Sequence, residues 1–402
     1  MDNAKELKEC LCCGSERLKL ALDLNEQPLA NSFKKTAEEA EPQFPLKLNL
    51  CTDCTHLQLS HAVNPDLLFK NYLYVSGTSQ TLRDYFDWFA KETLIYAPAA
   101  KTVLDIACND GSQLNSFKAL GLKTYGIDPA ENLHKLSNAN HEVVCDYFKE
   151  KYVYHYKMKQ LDIITAQNVF AHNDYPLEFL QQCRDIMHDD SVLFIQTSQA
   201  DMVRNNEFDT IYHEHLSFFN ASSMSALARR AGLYLIDIRK TPIHGNSYMF
   251  VFKKKAEDTS KVDAVLAEEQ QAGLQDLNTY TVYAERCQQV VEDLKAVLDD
   301  YRGQGYVLAG YGAAAKGNTL INFGKLYLDF IIDDNPLKQG LFAPGSNIPV
   351  ESIDVLDQCK DLKVVFVPLA WNFFTEIKSK IKGKRDQDGD VFIRYFPKIN
   401  VE

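Results

Sequence analysis

The chain has 402 residues, 46% of them hydrophobic and 24% charged, the composition of a soluble globular protein with material for two or three cores. A formal net charge of −12 argues against a nucleic-acid backbone as partner. The start, "MDNAKELKEC", has no apolar stretch and no run of 18 apolar residues occurs, so neither export nor a membrane partner is expected. The expectation is a cytoplasmic protein whose ten Cys are reduced thiols or metal ligands. Its oligomeric state is left open, a monomer included.

Residues 1–63 form a short block rich in Cys and turn residues. "CLCC" (10–13) and "CTDC" (51–54) are two Cys-x-x-Cys knuckles. Four thiolates from Cys10, Cys13, Cys51 and Cys54 suit a closed, tetrahedral, structural Zn²⁺, which would hold together a head too small to rest on apolar burial. Cys12 could replace Cys13 in that set, and free or redox thiols are the alternative.

Residues 64–255 alternate strand-like runs ("KTVLDIA", "KTYGID", "LDIITAQNV", "SVLFIQT") with helical ones such as "PLEFLQQCRDIM". That alternation predicts an α/β, doubly wound sheet. In "VLDIACNDGSQL" the first strand carries Asp105 and turns through Ala107 and Asn109 into a helix opened by Gly111. About twenty residues on, "YGIDPAEN" brings Asp128, with Pro129 and Asn132, to the end of the next strand. A carboxylate there can take both ribose hydroxyls. The Gly-x-Gly-x-x-Gly fingerprint for pyrophosphate is absent, so a cofactor with ribose but no pyrophosphate fits better, and S-adenosylmethionine (SAM) is expected. A tight strand–helix turn capped by Asp110 that binds nothing is the alternative.

Further along, "DTIYHEHLSFF" (209–219) places Tyr212, His213, Glu214 and His215 side by side. A neutral imidazole with a carboxylate beside it is a general base suited to pH near 7. Strand alternation would put His213 and His215 on one side, so gathering Tyr212, Glu214 and His215 requires a loop that breaks it. His172 follows the strand that ends near Asn168, at a sheet edge where ligands collect. A His-x-His metal site or a structural polar network are the other readings.

Residues 256–402 begin with a charged, helix-forming stretch expected to bridge two lobes. Strand, glycine loop and helix then recur in "GYVLAGYGAAAKGNTLINFG", with Gly310-x-Gly312-x-x-Ala315, and Asp333 and Asp334 end the next buried strand. Read alone, this loop suggests NAD.

Taken together, the Cys-x-x-Cys pairs, "LDLNEQPLANSF", "VLDIACNDGS", "GIDPAEN", "NVFAHNDY", "YHEHLSFF", "HGNSYMF" and "YGAAAKGNTLINF" resemble the sugar C-methyltransferases of deoxysugar biosynthesis, over nearly the whole chain. The resemblance implies a zinc-binding head, a central Rossmann-like SAM methyltransferase domain and a C-terminal Rossmann-like domain. It implies a nucleotide-linked 4-keto-6-deoxyhexose, most often dTDP-linked and methylated at C3, lying between the last two domains. It also implies His215 as base with Tyr212 and Glu214, and Asn168 and His172 in the pocket. Substrate contacts would come from Tyr72, Tyr74, His244, Asn246, Ser247, Lys316 and Asn318. The chain departs from the family pattern at Asp105, Ala107 and Cys108, at Gln196 where a Glu is usual, and at Met249 where an Arg is common. The competing expectations are an NAD-dependent sugar-nucleotide oxidoreductase or epimerase, and a zinc-ribbon binding protein with degenerate enzyme domains.

Overall fold

A computed structural model describes residues 3–69, 76–78, 80–198 and 201–402. Its largest sheet has seven strands. Leu161–Gln167, Thr102–Ile106, Lys123–Ile127 and Glu142–Val144 run side by side, parallel to one another and to Met187–Thr197 on the far side of Leu161–Gln167. Ser247–Lys253 runs antiparallel to Met187–Thr197 on one side and to the edge strand Tyr234–Thr241 on the other, and completes the sheet with it. The central strands are near-continuous apolar runs because helices cover both faces. Chain order reverses between Thr102–Ile106 and Leu161–Gln167, and the carboxyl ends on either side of that switch point open a crevice.

The second sheet has six strands. Val307–Tyr311 lies between Phe330–Ile332 and Val364–Pro368, parallel to both, and its switch point falls beside Val307–Tyr311. The charged stretch forms two helices, Ser260–Gln271 and Leu277–Gly303. Asp276 caps the longer one by accepting from the Asn278 N–H. Its buried Tyr280, Tyr283, Cys287, Val291, Leu294 and Leu298 recur every three or four residues. That stripe packs into one core with Leu22 and Leu24 of the head and Leu320 and Ile321 of the C-terminal unit, so this helix is a shared wall more than a spacer.

The head is a four-stranded antiparallel sheet. Leu18–Pro28, Gln43–Cys51 and Leu57–Leu59 come from the N-terminal block, and the fourth strand is Ser217–Phe218. The strand following "YHEH" is therefore part of the head. Each Cys knuckle closes with a backbone bond from the fifth residue to the first, Gly14 N to Cys10 O (2.8 Å) and Thr55 N to Cys51 O (2.9 Å). Each closing residue is left-handed, with φ of 77° and 60°.

Candidate active site

The four knuckle sulfurs lie within 4.8 Å of one another. The closest pairs, Cys10–Cys54 and Cys13–Cys51, are 3.5 Å apart, near the edge of about 3.8 Å that a tetrahedron with Zn–S bonds of ~2.3 Å requires. Cys12 is fully buried and outside the cluster, so the grouped sulfurs are those of Cys10, Cys13, Cys51 and Cys54. The donor set fits zinc and is closed.

A single cavity of about 1290 Å³ spans the two sheet edges. On the first edge the loop is strongly bent. Ala107, Asn109 and Gly111 have φ of 63°, 50° and 83°, so every second residue of the loop is left-handed and the backbone bends sharply between strand and helix. Asp128 fixes this loop: one carboxylate oxygen accepts from the Asn109 N–H (2.8 Å) and the other from the Ala130 N–H (2.8 Å). Each oxygen keeps a lone pair for a ribose hydroxyl. Ala107, Asn109, Asp128 and Pro129 line the cavity. Gly111 sits behind the loop at the start of helix Ser112–Ala119, and Asn132 points to the surface from helix Glu131–Ser137. Asp105 is buried, accepts from Thr165 Oγ1 (2.6 Å), and is pushed up to about 7 by burial.

Opposite, residues 211–216 form a turn, not a strand. The alternation is broken, so Tyr212, Glu214 and His215 all reach the cavity while His213 points into the head toward Phe44 O (3.3 Å). His215 Nδ1 lies 2.7 Å from the Thr210 carbonyl, which can only accept, so Nδ1 carries the proton. Nε2 is then the basic nitrogen, and the Tyr212 hydroxyl donates to it at 2.9 Å. His172 stacks on the His215 ring at 5.1 Å, and burial pushes it down to about 4, keeping it neutral at pH 7. Burial pushes Glu214 up to about 7, with the Asn31 amide bond (2.5 Å) and the Lys338 charge pulling the other way. Asn168, left-handed at φ 54°, lines the cavity beside Gln196.

The second edge contributes Gly312, Lys316, Asp333, Asp334 and Lys338. Asp333 accepts from the Ala313 N–H (2.7 Å) and Asn335 N–H (2.8 Å). Gly312 has φ 88°, and a Cβ there would lie 2.9 Å from that of Ala370.

Several expected contacts lie elsewhere. Asn246 and Ser247 are not among the cavity-lining residues described. The Asn246 amide donates to Asp201 (3.1 Å) and the Ser247 hydroxyl to Ile243 O (3.0 Å). His244 belongs to the same turn, Ile243–Gly245. Asn318 is buried just behind the second edge, its amide atoms making no hydrogen bond among the described residues. Met249 is fully buried in an apolar cluster with Val192, Phe194 and Val251, an environment in which an Arg would lack a partner. Tyr72 and Tyr74 lie outside the described residues. Asn31, Tyr85, Gln113 and Lys338 line the cavity without having been singled out from sequence. Asn31 was within reach, since it stands in the quoted "LANSF".

The α/β crevice, the four-Cys cluster and the ribose-acid loop define a SAM-dependent methyltransferase with a zinc-binding head. Three family models resolve the class further: a zinc binding domain over residues 10–69, a methyltransferase domain over 78–238 and a C-methyltransferase C-terminal domain over 242–397. Together the three matches span most of the chain, in the order expected of a SAM-dependent methyltransferase with a zinc-binding head. Its relatives include C-methyltransferase NovU of Streptomyces niveus, 29% identical over 94% of this chain and 92% of that one. A ubiquinone biosynthesis O-methyltransferase of Glaesserella parasuis serovar 5 (strain SH0165) is 31% identical over 24% of this chain and 45% of its own. Among solved structures, a SAM-dependent methyltransferase from Archaeoglobus fulgidus aligns at 16% identity over 43% of this chain and 94% of its own, with a TM-score of 0.35. No helix among the described residues is long and apolar enough to cross a membrane.

Proposed function

We propose that this enzyme methylates a ring carbon of a nucleotide-diphosphate-linked 4-keto-6-deoxy sugar, dTDP-linked and at C3, as a cytoplasmic step of deoxysugar biosynthesis. The observation that carries the reading is the shared cavity: the ribose-acid loop, the His215 cluster and the lysine-bearing second loop all line it. Ala107, Asn109, Asp128 and Pro129 would hold SAM, which supplies an electrophilic methyl group on a sulfonium. Lys316 and Lys338 offer cationic partners to a diphosphate.

Carbon methylation needs a nucleophilic carbon, and a hydrogen beside a ketone is acidic enough when a base takes it while the enolate oxygen is stabilised. His215 Nε2 removes the proton. The Nδ1–H bond to Thr210 O leaves Nε2 unprotonated and stabilises the ring once it is charged, and the Tyr212 hydroxyl, which donates to Nε2 here, gives up that bond as the substrate's hydrogen arrives. Glu214, next to His215 in the chain and raised to about 7 by burial, is only partly ionised near pH 7 and fixes no permanent ion pair. Neutral His172 and the Asn168 amide, which line the same cavity, would donate to the enolate oxygen. Alignment of the enolate carbon with the sulfonium methyl then does what remains: the C–C bond forms as the S–CH₃ bond breaks, and S-adenosylhomocysteine leaves.

Incubating zinc-loaded enzyme with methyl-labelled SAM and a panel of 4-keto sugar nucleotides tests the assignment. Label is expected on the dTDP-linked 4-keto-6-deoxyhexose; transfer to none of the panel contradicts it.

A further inference from the structure

The residues just before the His215 turn are docked in the C-terminal unit, and apart from the Thr210 carbonyl the methylation chemistry uses none of them. Phe208 meets the edges of Phe323 (5.4 Å) and Phe396 (5.6 Å). Asp209 is fully buried, and its Oδ2 accepts from Trp371 Nε1 at 2.8 Å. The Thr319 hydroxyl, 1% exposed, donates to Ile211 O at 3.0 Å. It has one proton, and the competing Ala315 carbonyl on its own helix is farther, at 3.5 Å. Trp371 packs against Gly245, its ring lying where a side chain on that residue would be.

Between the Asp209 and Ile211 anchors stands Thr210, whose carbonyl takes the His215 Nδ1 proton. A carbonyl oxygen reaches its donor only while its peptide plane keeps its direction. Freeing either flank would let the Thr210–Ile211 plane turn, and the imidazole could then carry its proton on Nε2, the nitrogen that has to be bare.

We propose that Asp209 and Thr319 are positioning residues for the base. Acting with Trp371 from the far domain, they hold the Thr210 carbonyl so that His215 keeps its Nδ1–H tautomer. The C-terminal unit then does more than offer a substrate surface: it sets the protonation geometry of a base carried by another domain. This rests on the reading of His215 as base.

The test uses the zinc-loaded full chain. Ring ¹⁵N shifts of His215 are recorded in wild type, Thr319→Val, Thr319→Ser and Trp371→Phe. Turnover is measured with SAM and the dTDP-linked 4-keto-6-deoxyhexose. Wild type should show one tautomer with bare Nε2. Thr319→Val and Trp371→Phe should show mixed tautomers and a kcat lowered about tenfold, with KM for both substrates within about twofold. Thr319→Ser, which restores the hydroxyl, should restore both signals. Wild-type tautomer and kcat in both Thr319→Val and Trp371→Phe overturn the proposal. His215→Ala reads the underlying assignment separately: normal turnover in that variant removes the base itself, whereas an inactive His215→Ala beside unaffected Thr319→Val and Trp371→Phe removes only the positioning role.

Discussion

The two sheet edges facing the cavity are built alike and charged differently. In each, an Asp at the end of the neighbouring strand accepts one N–H from the loop and one from the residue two places on: Asp128 from Asn109 and Ala130, Asp333 from Ala313 and Asn335. In each, the backbone turns through a left-handed residue that opens the crevice. The first edge carries Asp105 and Asp128 and no lysine, whereas among the described residues both cavity-lining lysines, Lys316 and Lys338, come from the second. Lys338 also donates to Ala313 O (2.8 Å), fixing a cation against the second loop. The first edge is thus acidic and suits a ribose-bearing sulfonium, whereas at the second Lys316 and Lys338 balance Asp333 and Asp334 and give the proposed diphosphate the cationic partners that the first edge lacks. His215 stands where both edges reach the same space.

The largest effect should come from what lies between the edges. His215→Ala should lower turnover by roughly 10²–10⁴-fold while S-adenosylhomocysteine affinity, measured by calorimetry, stays unchanged. Next come the matched acids. Asp128→Ala should weaken S-adenosylhomocysteine binding by about 10–100-fold and leave dTDP binding intact, and Asp333→Ala should do the reverse. Equal losses of both ligands in either variant would erase the distinction. A smaller effect is expected at Lys316→Ala, about tenfold on dTDP affinity and a shallower salt dependence, with S-adenosylhomocysteine unaffected.

The smallest is a pH effect at Glu214. Its folded carboxyl is raised to about 7 by burial, so the folded protein holds a proton that the unfolded chain releases near 4.5. Its contribution to stability is full below about 4.5 and is lost as pH rises to about 7, a change on the order of 3 kcal/mol. Buried His172 and His213, pushed down to about 4, slope the other way. The readout is therefore the stability of wild type minus Glu214→Gln, which should fall across that window and flatten above it. A flat difference throughout would show that Glu214 is ionised when buried.

Strand and helix periodicity made both α/β units legible, because buried parallel strands are near-continuous apolar runs that few other elements mimic. The Cys spacing carried the zinc cluster for a similar reason: ligand geometry is local. What sequence could not show is long-range. Nothing in "YHEHLSFF" says that Ser217–Phe218 joins the head sheet, or that Asn31, 183 positions away, bonds Glu214. Nor does "HGNSYMF" reveal that Gly245 receives the Trp371 ring, so that Asn246 and Ser247 turn away from the cavity. Those facts depend on how three domains meet, and apolar patterning within one segment does not record it.

The account turns on a proton taken from carbon before any methyl moves. Wild-type enzyme incubated in D₂O with a dTDP-linked 4-keto-6-deoxyhexose and S-adenosylhomocysteine, which has no methyl to give, should exchange the hydrogen beside the ketone for deuterium, as followed by NMR. His215→Ala should exchange it no faster than buffer alone. Exchange at the wild-type rate in His215→Ala would contradict the account.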